Sequence, residues 1–359
     1  MKKIWIAAFF AVLSCWFAEA QAPKRMAVVE FSTNYMRTKP DYESGLETQE
    51  LMGQVVEILQ EDRYWRQIRC PQPYTAWTTS LGLVEMDEAE IAAYERAPKY
   101  IFKALTGHLY TAPSLKAAKI CDLVGGDLLR VVLKDKYQQE IRQSKETDAT
   151  VTDQLSWRKA VTKGAWAKAM LPSGREGWVP KAELEFQQHW HEKMRPGVEG
   201  LVRTAEELLG VPYLWGGMSP KGVDCSGLVR VCAILNNIYL PRNASQMVHC
   251  GKEVPMATDA RFWEESSRAN ADGTFTAAYV AEMEERVKHL QPGDLVIFGY
   301  PASEGKKERI THVGIYIGNQ HIIHSSHVVR KNSLIPGAAD FYENSHKLIK
   351  ARRLEMKQL

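Results

Sequence analysis

The stretch Val223-Asp224-Cys225-Ser226-Gly227 decides the fold of the C-terminal half of the chain. The glycine-rich segment 213–217 precedes it, and the apolar run 228–235 follows it. This order predicts a loop that runs into a helix, with Asp224 as the N-cap and Cys225 in the first turn. Backbone N–H groups and the helix dipole favour a negative charge at that position, so we expect a reactive thiolate at Cys225. Taken alone, Asp224-Cys225-Ser226-Gly227 is more typical of a small buried cysteine than of a reactive one.

Two downstream histidines give that cysteine a chemical context. Gly318-Asn319 separates two apolar segments and is a two-residue turn of the kind that antiparallel hairpins prefer. The resulting register sets His312 opposite Ser325 and beside His324, and a small register change brings both imidazoles onto one face. The sequence therefore predicts a nucleophile, Cys225, a base, His312, and a group that orients the base, His324.

A metal centre is the alternative use of these side chains. His312, His321 and His324 are all possible ligands, but no carboxylate lies near them in sequence and Cys225 is left without a role. The chain also lacks a CxxC spacing, so a structural zinc site is not expected. We expect no metal and no organic cofactor.

Composition places the chain among ordinary globular proteins. Its 359 residues are 45% hydrophobic and 25% charged, and this length suggests two or three domains. The formal net charge of +3, without a basic stripe interleaved with aromatics, argues against a nucleic-acid partner.

The first twenty residues resemble a targeting segment. Lys2 and Lys3 precede the apolar stretch 4–17, and Ala18-Glu19-Ala20 ends in a small-x-small cleavage signal. We therefore expect a signal peptide over 1–20 and a protein exported to the periplasm or the cell exterior, without a membrane-spanning segment. A lipid anchor on Cys15 is the alternative. Cleavage leaves five cysteines, and this odd number leaves at least one thiol unpaired.

The N-terminal half contains an internal repeat. Residues 34–40 align with 107–113, and in both copies a glycine follows 13 residues later, Gly53 and Gly126, ahead of an apolar strand. Short strands between turn signals predict two small β-barrels, which resemble the bacterial SH3 domain. We assign them to 26–84 and 99–186, joined by a helical linker at 85–98. The polar stretch 138–153 within the second copy is predicted to be a long exposed loop.

The remaining residues, 194–355, form the predicted catalytic domain. The spacing of apolar residues predicts an amphipathic helix over 198–209, which Gly210 terminates. The polar stretch 255–288 is predicted to be irregular at first and then helical, and the sequence assigns it no role. A strand at 295–298 and a last strand near 348–351 complete the pattern.

Four motifs in this domain, taken in order, resemble the NlpC-type papain-like cysteine peptidases. They are Tyr213-x-Trp215-Gly216-Gly217, Asp224-Cys225-Ser226-Gly227, Leu290-Gln291-Pro292-Gly293-Asp294-Leu295, and the segment from His312 to Gly318 with His324 after it. The resemblance implies an α+β fold in which N-terminal helices pack on an antiparallel sheet. It also implies Cys225 as nucleophile, His312 as base and His324 as the orienting residue.

With two SH3-like barrels ahead of such a domain, the chain is similar to the γ-D-glutamyl-L-diamino-acid endopeptidases of murein recycling. This likeness implies hydrolysis of cell-wall peptides with a free N-terminal L-alanine. It also implies that an aromatic residue from the barrels, here assigned to Tyr110, lies near the amine of the peptide, and that Asp224 faces that amine. The substrate site it implies would further contain Tyr213, Trp215, Ser226 and Ser245. Asn243 stands where such enzymes often carry an aspartate.

Three other functions use the same residues. The barrels would hold intact peptidoglycan in a wall-bound hydrolase, or the whole chain would be a non-catalytic cell-wall binding protein. Transfer of the acyl group to an amine instead of water requires no further residue. The preferred diamino acid and the oligomeric state do not follow from the sequence.

Overall fold

The computed structural model of the chain describes residues 24–71, 74–143, 156–194, 197–256 and 259–355. The predicted signal segment 1–20 and the alternative anchor at Cys15 lie outside these residues. Within them, no helix combines the length and the hydropathy that a membrane crossing requires.

Seven antiparallel strands form the first sheet, and they lie side by side in the order β3-β2-β6-β5-β4-β1-β7. Their bounds are β1 Arg25–Val29, β2 Thr33–Arg37, β3 Leu46–Leu51, β4 Val55–Asp62, β5 Trp65–Arg69, β6 Thr75–Thr79 and β7 Leu83–Met86. A short 3-10 turn, Ser80–Gly82, precedes the last strand. Helix α1, Glu88–Arg96, follows and begins with a capping box between Asp87 and Glu90, so the predicted linker is helical.

The second sheet has the order β10-β9-β14-β13-β11-β8-β15, with β12 paired to β13. The bounds are β8 Lys99–Phe102, β9 Thr106–Tyr110, β10 Lys119–Val124, β11 Leu128–Val131, β12 Thr162–Lys163, β13 Trp166–Met170, β14 Glu176–Pro180 and β15 Leu184–Phe186. Helix α2, Asp135–Gln143, covers the start of the stretch predicted as a loop, so that part of the prediction is wrong. Its polar residues suit an exposed helix as well as a loop, and residues 144–155 lie outside the described part.

The two sheets repeat one strand order. When β12 is set aside, each strand of the second sheet occupies the place of its counterpart in the first. Gly53 and Gly126, the aligned glycines, both have positive φ, 85° and 100°, which favours glycine over any residue with a Cβ. The internal repeat read from the sequence is therefore also a repeat of structure. The assignment of both sheets to the SH3 class, and the domain boundaries, stay predictions.

The C-terminal part contains the remaining elements. The helices are α3 Gln187–Lys193, α4 Val198–Glu207, α5 Cys225–Ile234, α6 Ala244–Met247, α7 Glu265–Arg268 and α8 Ala277–Val287. A two-stranded ribbon pairs β16 Met218–Ser219 with β17 Gly222–Val223. A six-stranded antiparallel sheet has the order β18-β23-β19-β20-β21-β22, formed by β18 Lys252–Glu253, β19 Leu295–Tyr300, β20 Arg309–Gly318, β21 His321–Ser326, β22 Val328–Ser333 and β23 Leu348–Arg353.

Both faces of this six-stranded sheet are covered. Leu228 and Val229 of α5 pack with Val313 and Ile315 of β20 on one face. On the other face, the buried residues of α8 pack with alternate residues of the strands, namely Tyr279, Met283 and Val287 with Val296, Phe298, Ile322 and Leu348. Helix α8 lies in the polar stretch to which the sequence assigned no role, and its second half is helical as predicted. That stretch thus contributes four of the fourteen described buried residues that form the core on this face of the sheet.

Candidate active site

Cys225 is the first residue of α5. The Asp224 side chain caps this helix by accepting a hydrogen bond of 2.7 Å from the backbone N–H of Gly227. Gly227 has no alternative at this position, since an added Cβ would overlap the carbonyl oxygen of Gly217. The loop and the helix are therefore packed closely enough to fix the thiol at the helix N-terminus.

The pKa of the Cys225 thiol is shifted in the direction opposite to the sequence expectation. Burial raises it to about 11, and the neighbouring Asp224 carboxylate adds to the rise. Hydrogen bonds from the backbone N–H groups of Val313 and Ser226 lower the pKa but do not offset burial. Desolvation thus outweighs the helix terminus in setting the pKa of this thiol.

The hairpin of β20 and β21 is shifted by one residue from its predicted register. Its two-residue loop is Asn319-Gln320, with φ of 49° and 64°, instead of Gly318-Asn319. Gly318 pairs with His321, and an irregularity between Tyr316 and Gly318 shifts the ladder. The predicted pairing of His312 with Ser325 is therefore wrong, because the sequence alone does not reveal such a bulge.

The shift brings both histidines onto the same face. Ile315 pairs with Ile323, and Tyr316 pairs with Ile322. The same register sets Gly314 opposite His324. His312, two residues from Gly314 along β20, then shares that face. Its Nε2 lies 2.7 Å from Nδ1 of His324, within hydrogen-bond distance.

Burial keeps both imidazoles neutral at physiological pH. It lowers the pKa of His312 to about 3, and the nearby His324 and Arg330 lower it further. Burial also lowers the pKa of His324 to about 4, although a hydrogen bond with Asn332 acts in the opposite direction. A neutral imidazole is suited to general-base catalysis, in which it accepts a proton as a nucleophile attacks.

Two side chains that the sequence analysis missed complete the surroundings of the histidines. Asn332 of β22 places Oδ1 2.9 Å from Nε2 of His324. The ring of Tyr342 lies 4.5 Å from that of His324. Burial raises the pKa of its hydroxyl to about 12, and the charges of Glu343 and of a Cys225 thiolate add to the rise. A lone asparagine in a strand and a tyrosine in a loop carry no motif, so no sequence signal singled them out.

Behind the cysteine, Asp224 takes part in a buried network. Its two carboxylate oxygens accept hydrogen bonds from the backbone N–H groups of Gly216 and Gly227, from the Ser226 hydroxyl and from the Arg242 guanidinium. Asp224 is 8% exposed and Ser226 is 6% exposed. A carboxylate offers about four lone-pair positions, and these donors fill them. The expectation that Asp224 faces a substrate amine is therefore wrong, and Ser226 lies within the same network rather than on an open surface.

The first sheet contributes directly to this network. Thr48 of β3 accepts a hydrogen bond of 2.8 Å from Nε of Arg242. The neighbouring Gln49 accepts one of 2.7 Å from the backbone N–H of Met218. Gly216, with φ of 75°, lies against the backbone of Glu47. Strand β3 thus forms one wall beside the loop that precedes Cys225.

The other predicted substrate residues occupy different environments. Trp215 is 69% exposed beside the site, and Tyr213 is half-buried. Burial raises the pKa of Tyr213 to about 12, and the charges of Cys225 and Asp224 add to the rise, so this phenol lies close to the cysteine. Ser245 is exposed on α6, and no described contact joins it to the histidine pair.

Tyr110 does not lie at the site. It is 8% exposed in β9, pairs with Trp178 and packs its ring against Trp166 in the second sheet. The aromatic residue of the N-terminal half that lies near Asp224 is Tyr74, whose hydroxyl donates a hydrogen bond of 2.6 Å to Glu47. Burial raises the pKa of Tyr74 to about 12, and Glu47 and Asp224 contribute to that rise.

A metal centre is not supported by the arrangement of ligands. His321 contacts the Asn319 carbonyl and the Asp340 carboxylate instead of the other two histidines. Among the residues that the structure describes, no group of three or more His, Cys, Asp or Glu side chains is arranged to hold a metal ion.

Comparison with known proteins places this geometry in a family. Residues 210–343 match the model of the NlpC/P60 family. The γ-D-glutamyl-L-lysine dipeptidyl-peptidase of Bacillus cereus is 24% identical over 299 residues, which are 81% of this chain and 70% of that protein. Dipeptidyl-peptidase 6 of Lysinibacillus sphaericus is 26% identical over 209 residues, 57% of this chain and 68% of the relative.

Solved structures show the same fold. An NlpC/P60 family protein from Bacillus cereus superimposes with a TM-score of 0.62 at 21% identity, covering 91% of this chain and 99% of that chain. An NlpC/P60 endopeptidase from Photobacterium damselae gives a TM-score of 0.54 at 14% identity, over 91% of this chain and 72% of that one. The similarity therefore extends beyond the catalytic domain into both N-terminal sheets. Residues 210–343, which contain Cys225 and both histidines, are therefore similar in sequence to the NlpC/P60 family, and the whole described fold resembles that of a family member.

Proposed function

We propose that this protein is a cysteine endopeptidase that hydrolyses the bond between γ-D-glutamate and a diamino acid in cell-wall peptides. The observation that carries the proposal is the hydrogen-bonded pair of His312 and His324, together with the hydrogen bond from the backbone N–H of Val313, the residue after His312, to the sulfur of a cysteine at a helix N-terminus. The relatives named γ-D-glutamyl-L-lysine dipeptidyl-peptidase support this choice of bond.

The site carries out the reaction with its own side chains. His312 uses Nε2 for His324, so its Nδ1 is the nitrogen that accepts the thiol proton of Cys225. The sulfur attacks the γ-glutamyl carbonyl, and the C–N bond of the tetrahedral intermediate then breaks as His312 gives the proton to the leaving amine. Water, deprotonated by His312, cleaves the thioester and regenerates the thiol. Backbone N–H groups at the start of α5, which have no acceptor within the helix, stabilise the oxyanion.

The short substrate with a free N-terminal L-alanine is best accommodated by the first sheet. Asp224 is saturated, whereas the Glu47 carboxylate is half-buried beside Gly216 and receives a hydrogen bond from Tyr74. We assign recognition of the ammonium group to Glu47 and Tyr74, since a carboxylate is an acceptor with spare lone pairs there. This assignment replaces the earlier ones to Asp224 and Tyr110.

Digestion of defined peptides tests the proposal. The purified protein should release the dipeptide L-Ala-γ-D-Glu from L-Ala-γ-D-Glu-L-Lys or from its meso-diaminopimelate counterpart, as detected by mass spectrometry. Cys225→Ala should abolish release while its circular dichroism spectrum stays that of the wild type. Full activity of this variant would remove Cys225 as nucleophile, and absence of product from every peptide with the wild type would refute the proposed reaction.

A parallel digestion of purified sacculi separates the alternatives. Product from free peptides but not from sacculi supports the role in peptide turnover, while release from sacculi alone favours a wall-bound hydrolase. Sedimentation with sacculi without any product favours the binding protein. An added amine acceptor that appears in the product identifies acyl transfer. We further propose export through the signal segment 1–20, which N-terminal sequencing of secreted protein tests by finding Gln21 first.

A further inference from the structure

We propose that Asn332 is a positioning residue that fixes the tautomer of both histidines, and that the backbone carbonyl of Asp340 fixes Asn332 in turn. The catalytic role of Asn332 rests on the proposed function. The assignment of the hydrogen positions on the two imidazoles does not depend on it. Asn332 is then a fourth residue of the proposed site, after Cys225, His312 and His324.

The amide of Asn332 has one orientation that satisfies both neighbours. It is 7% exposed, and its Nδ2 lies 2.6 Å from the carbonyl oxygen of Asp340, while its Oδ1 lies 2.9 Å from Nε2 of His324. A carbonyl oxygen only accepts hydrogen bonds, so the NH₂ group must face Asp340. The amide oxygen therefore faces His324, and exchanging the two amide atoms would leave two acceptors in contact.

The protons of the two imidazoles follow from that orientation. Because Oδ1 of Asn332 only accepts, Nε2 of His324 must carry the hydrogen. In the neutral ring Nδ1 is then the acceptor, so Nε2 of His312 must donate to it across 2.7 Å. The hydrogen of neutral His312 is thus on Nε2, and the lone pair on Nδ1 remains free for the thiol proton. An imidazole with the other tautomer would direct an N–H towards the cysteine instead.

The Asp340 carbonyl is itself held in place. It also accepts a hydrogen bond of 3.1 Å from the backbone N–H of Ser333, the residue after Asn332. The N–H of Tyr342 returns a bond of 2.9 Å to the Ser333 carbonyl, which sets the Tyr342 ring against His324. The loop after β22 therefore folds back on that strand and holds the amide from behind.

A neutral amide suits this environment better than a carboxylate would. The charged and titratable groups shown around His324 are Arg330, His312 and Tyr342. With an aspartate at position 332, the carboxylate would favour a protonated His324 and would face the Asp340 carbonyl without a donor. With asparagine, the series of hydrogen bonds fixes the orientation of the two imidazoles without adding a charge.

The first test is a measurement of tautomers by ¹⁵N–¹H correlation of the histidine rings in the full chain without substrate. The wild type should show Nε2–H at both His312 and His324, assigned through His312→Gln and His324→Gln. Asn332→Leu, which is close in volume but has no acceptor, should produce a mixture of tautomers. An Nδ1–H form at His324 in the wild type would overturn the inference, whatever the activity of the protein.

Kinetics with the peptide substrate supply the second test. Asn332→Leu should lower kcat about 10- to 100-fold while KM stays within about twofold, as expected for loss of an orienting partner. Asn332→Asp should recover part of kcat and shift the acidic limb of the kcat/KM profile to higher pH. Asn270→Leu, at an exposed asparagine bonded to Thr274, should leave kcat and the profile unchanged.

The outcomes separate this inference from the proposed function. The expected tautomers together with no cleavage of any peptide would sustain the inference and refute the function. Cleavage together with a wild-type kcat in Asn332→Leu would sustain the function and refute the inference. If Asn332→Leu does not fold, Asn332→Asp provides the test instead. A pH profile of Asn332→Asp that matches that of the wild type would contradict the role of Asn332.

Discussion

Arg242 donates a hydrogen bond from Nε to the Thr48 hydroxyl across 194 positions of sequence, and its other nitrogens bind the Asp224 carboxylate. The first sheet is therefore attached to the cap of the helix that carries Cys225. All three side chains are buried, so this attachment is shielded from solvent. The position of Cys225 therefore depends in part on β3, a strand of the N-terminal half of the chain.

Removing the guanidinium should destabilise the protein severely. Arg242→Met leaves Asp224 buried without its counter-charge, which typically costs about 3–5 kcal/mol. Thr48→Val removes only the hydroxyl and should cost about 1 kcal/mol. Urea denaturation followed by tryptophan fluorescence measures both. A smaller loss for Arg242→Met than for Thr48→Val would show that the ion pair contributes little.

Gly314 should be required for the histidine pair rather than for folding. A Cβ at this position would lie 3.2 Å from Cβ of His324, so the imidazole must move by tenths of an ångström. We expect Gly314→Ala to lower kcat about tenfold with little change in the unfolding midpoint, since small misplacements of a catalytic group are costly. Gly45→Ala, where the nearest atom is 3.9 Å away, is the matched control. Equal kcat in both variants would count against the prediction.

The two buried histidines should make stability fall in mild acid. Their pKa values are lowered to about 3 and about 4 in the folded state, against about 6.5 in the unfolded chain. Between these pKa values the unfolded state binds more protons than the folded state. The contribution of the two histidines to the free energy of unfolding is therefore complete above about pH 6.5 and is lost as the pH falls towards about 4. Each histidine removes up to about 1.4 kcal/mol per pH unit in that window.

The measurement is the difference in unfolding free energy between pH 7 and pH 5. The double variant His312→Gln, His324→Gln should show a smaller loss than the wild type, because glutamine does not titrate. Other buried groups, such as His346, titrate equally in both proteins and cancel in the comparison. Parallel losses in the two proteins would mean that the histidines are already protonated in the folded state.

The proposed ammonium site predicts a change of specificity. Glu47→Gln removes the charge that would pair with the N-terminal amine while keeping an acceptor for Tyr74. The ratio of kcat/KM for a peptide with a free amine to that for its N-acetylated form should fall about tenfold, which corresponds to about 1.4 kcal/mol. Glu43→Gln, at an exposed residue of the loop between β2 and β3, should leave the ratio unchanged. An unaltered ratio in Glu47→Gln would assign the amine to another group.

The sequence predicted those features that depend on local chemistry. The helix at Cys225 and its Asp224 cap followed from residue types at fixed spacing, and both are present. Spacing also revealed the repeat that Gly53 and Gly126 mark. The pairing of His312 was predicted only approximately, because an irregularity in the ladder leaves no sequence signal.

Long-range partners were beyond the reach of the sequence. Thr48 and Arg242 meet because two separate folding units pack together, and neither residue belongs to a motif. The assignment of Tyr110 to the site is wrong because an aromatic pattern within a repeat does not distinguish a core position from a cleft. The raised pKa of the Cys225 thiol likewise depends on burial, which is set by the whole fold.

The shared strand order of the two N-terminal sheets has a consequence for how each can change. At the positions of β3 that hold Thr48 and Gln49, the counterpart strand β10 carries Cys121 and Asp122. Asp122 contacts Ser32 of the first copy and Lys221 between β16 and β17, and both contacts are partly exposed. Thr48, in contrast, bonds a buried guanidinium. Equivalent substitutions in the two copies should therefore be tolerated unequally, with a greater loss of stability for a change at position 48 than for one at position 122.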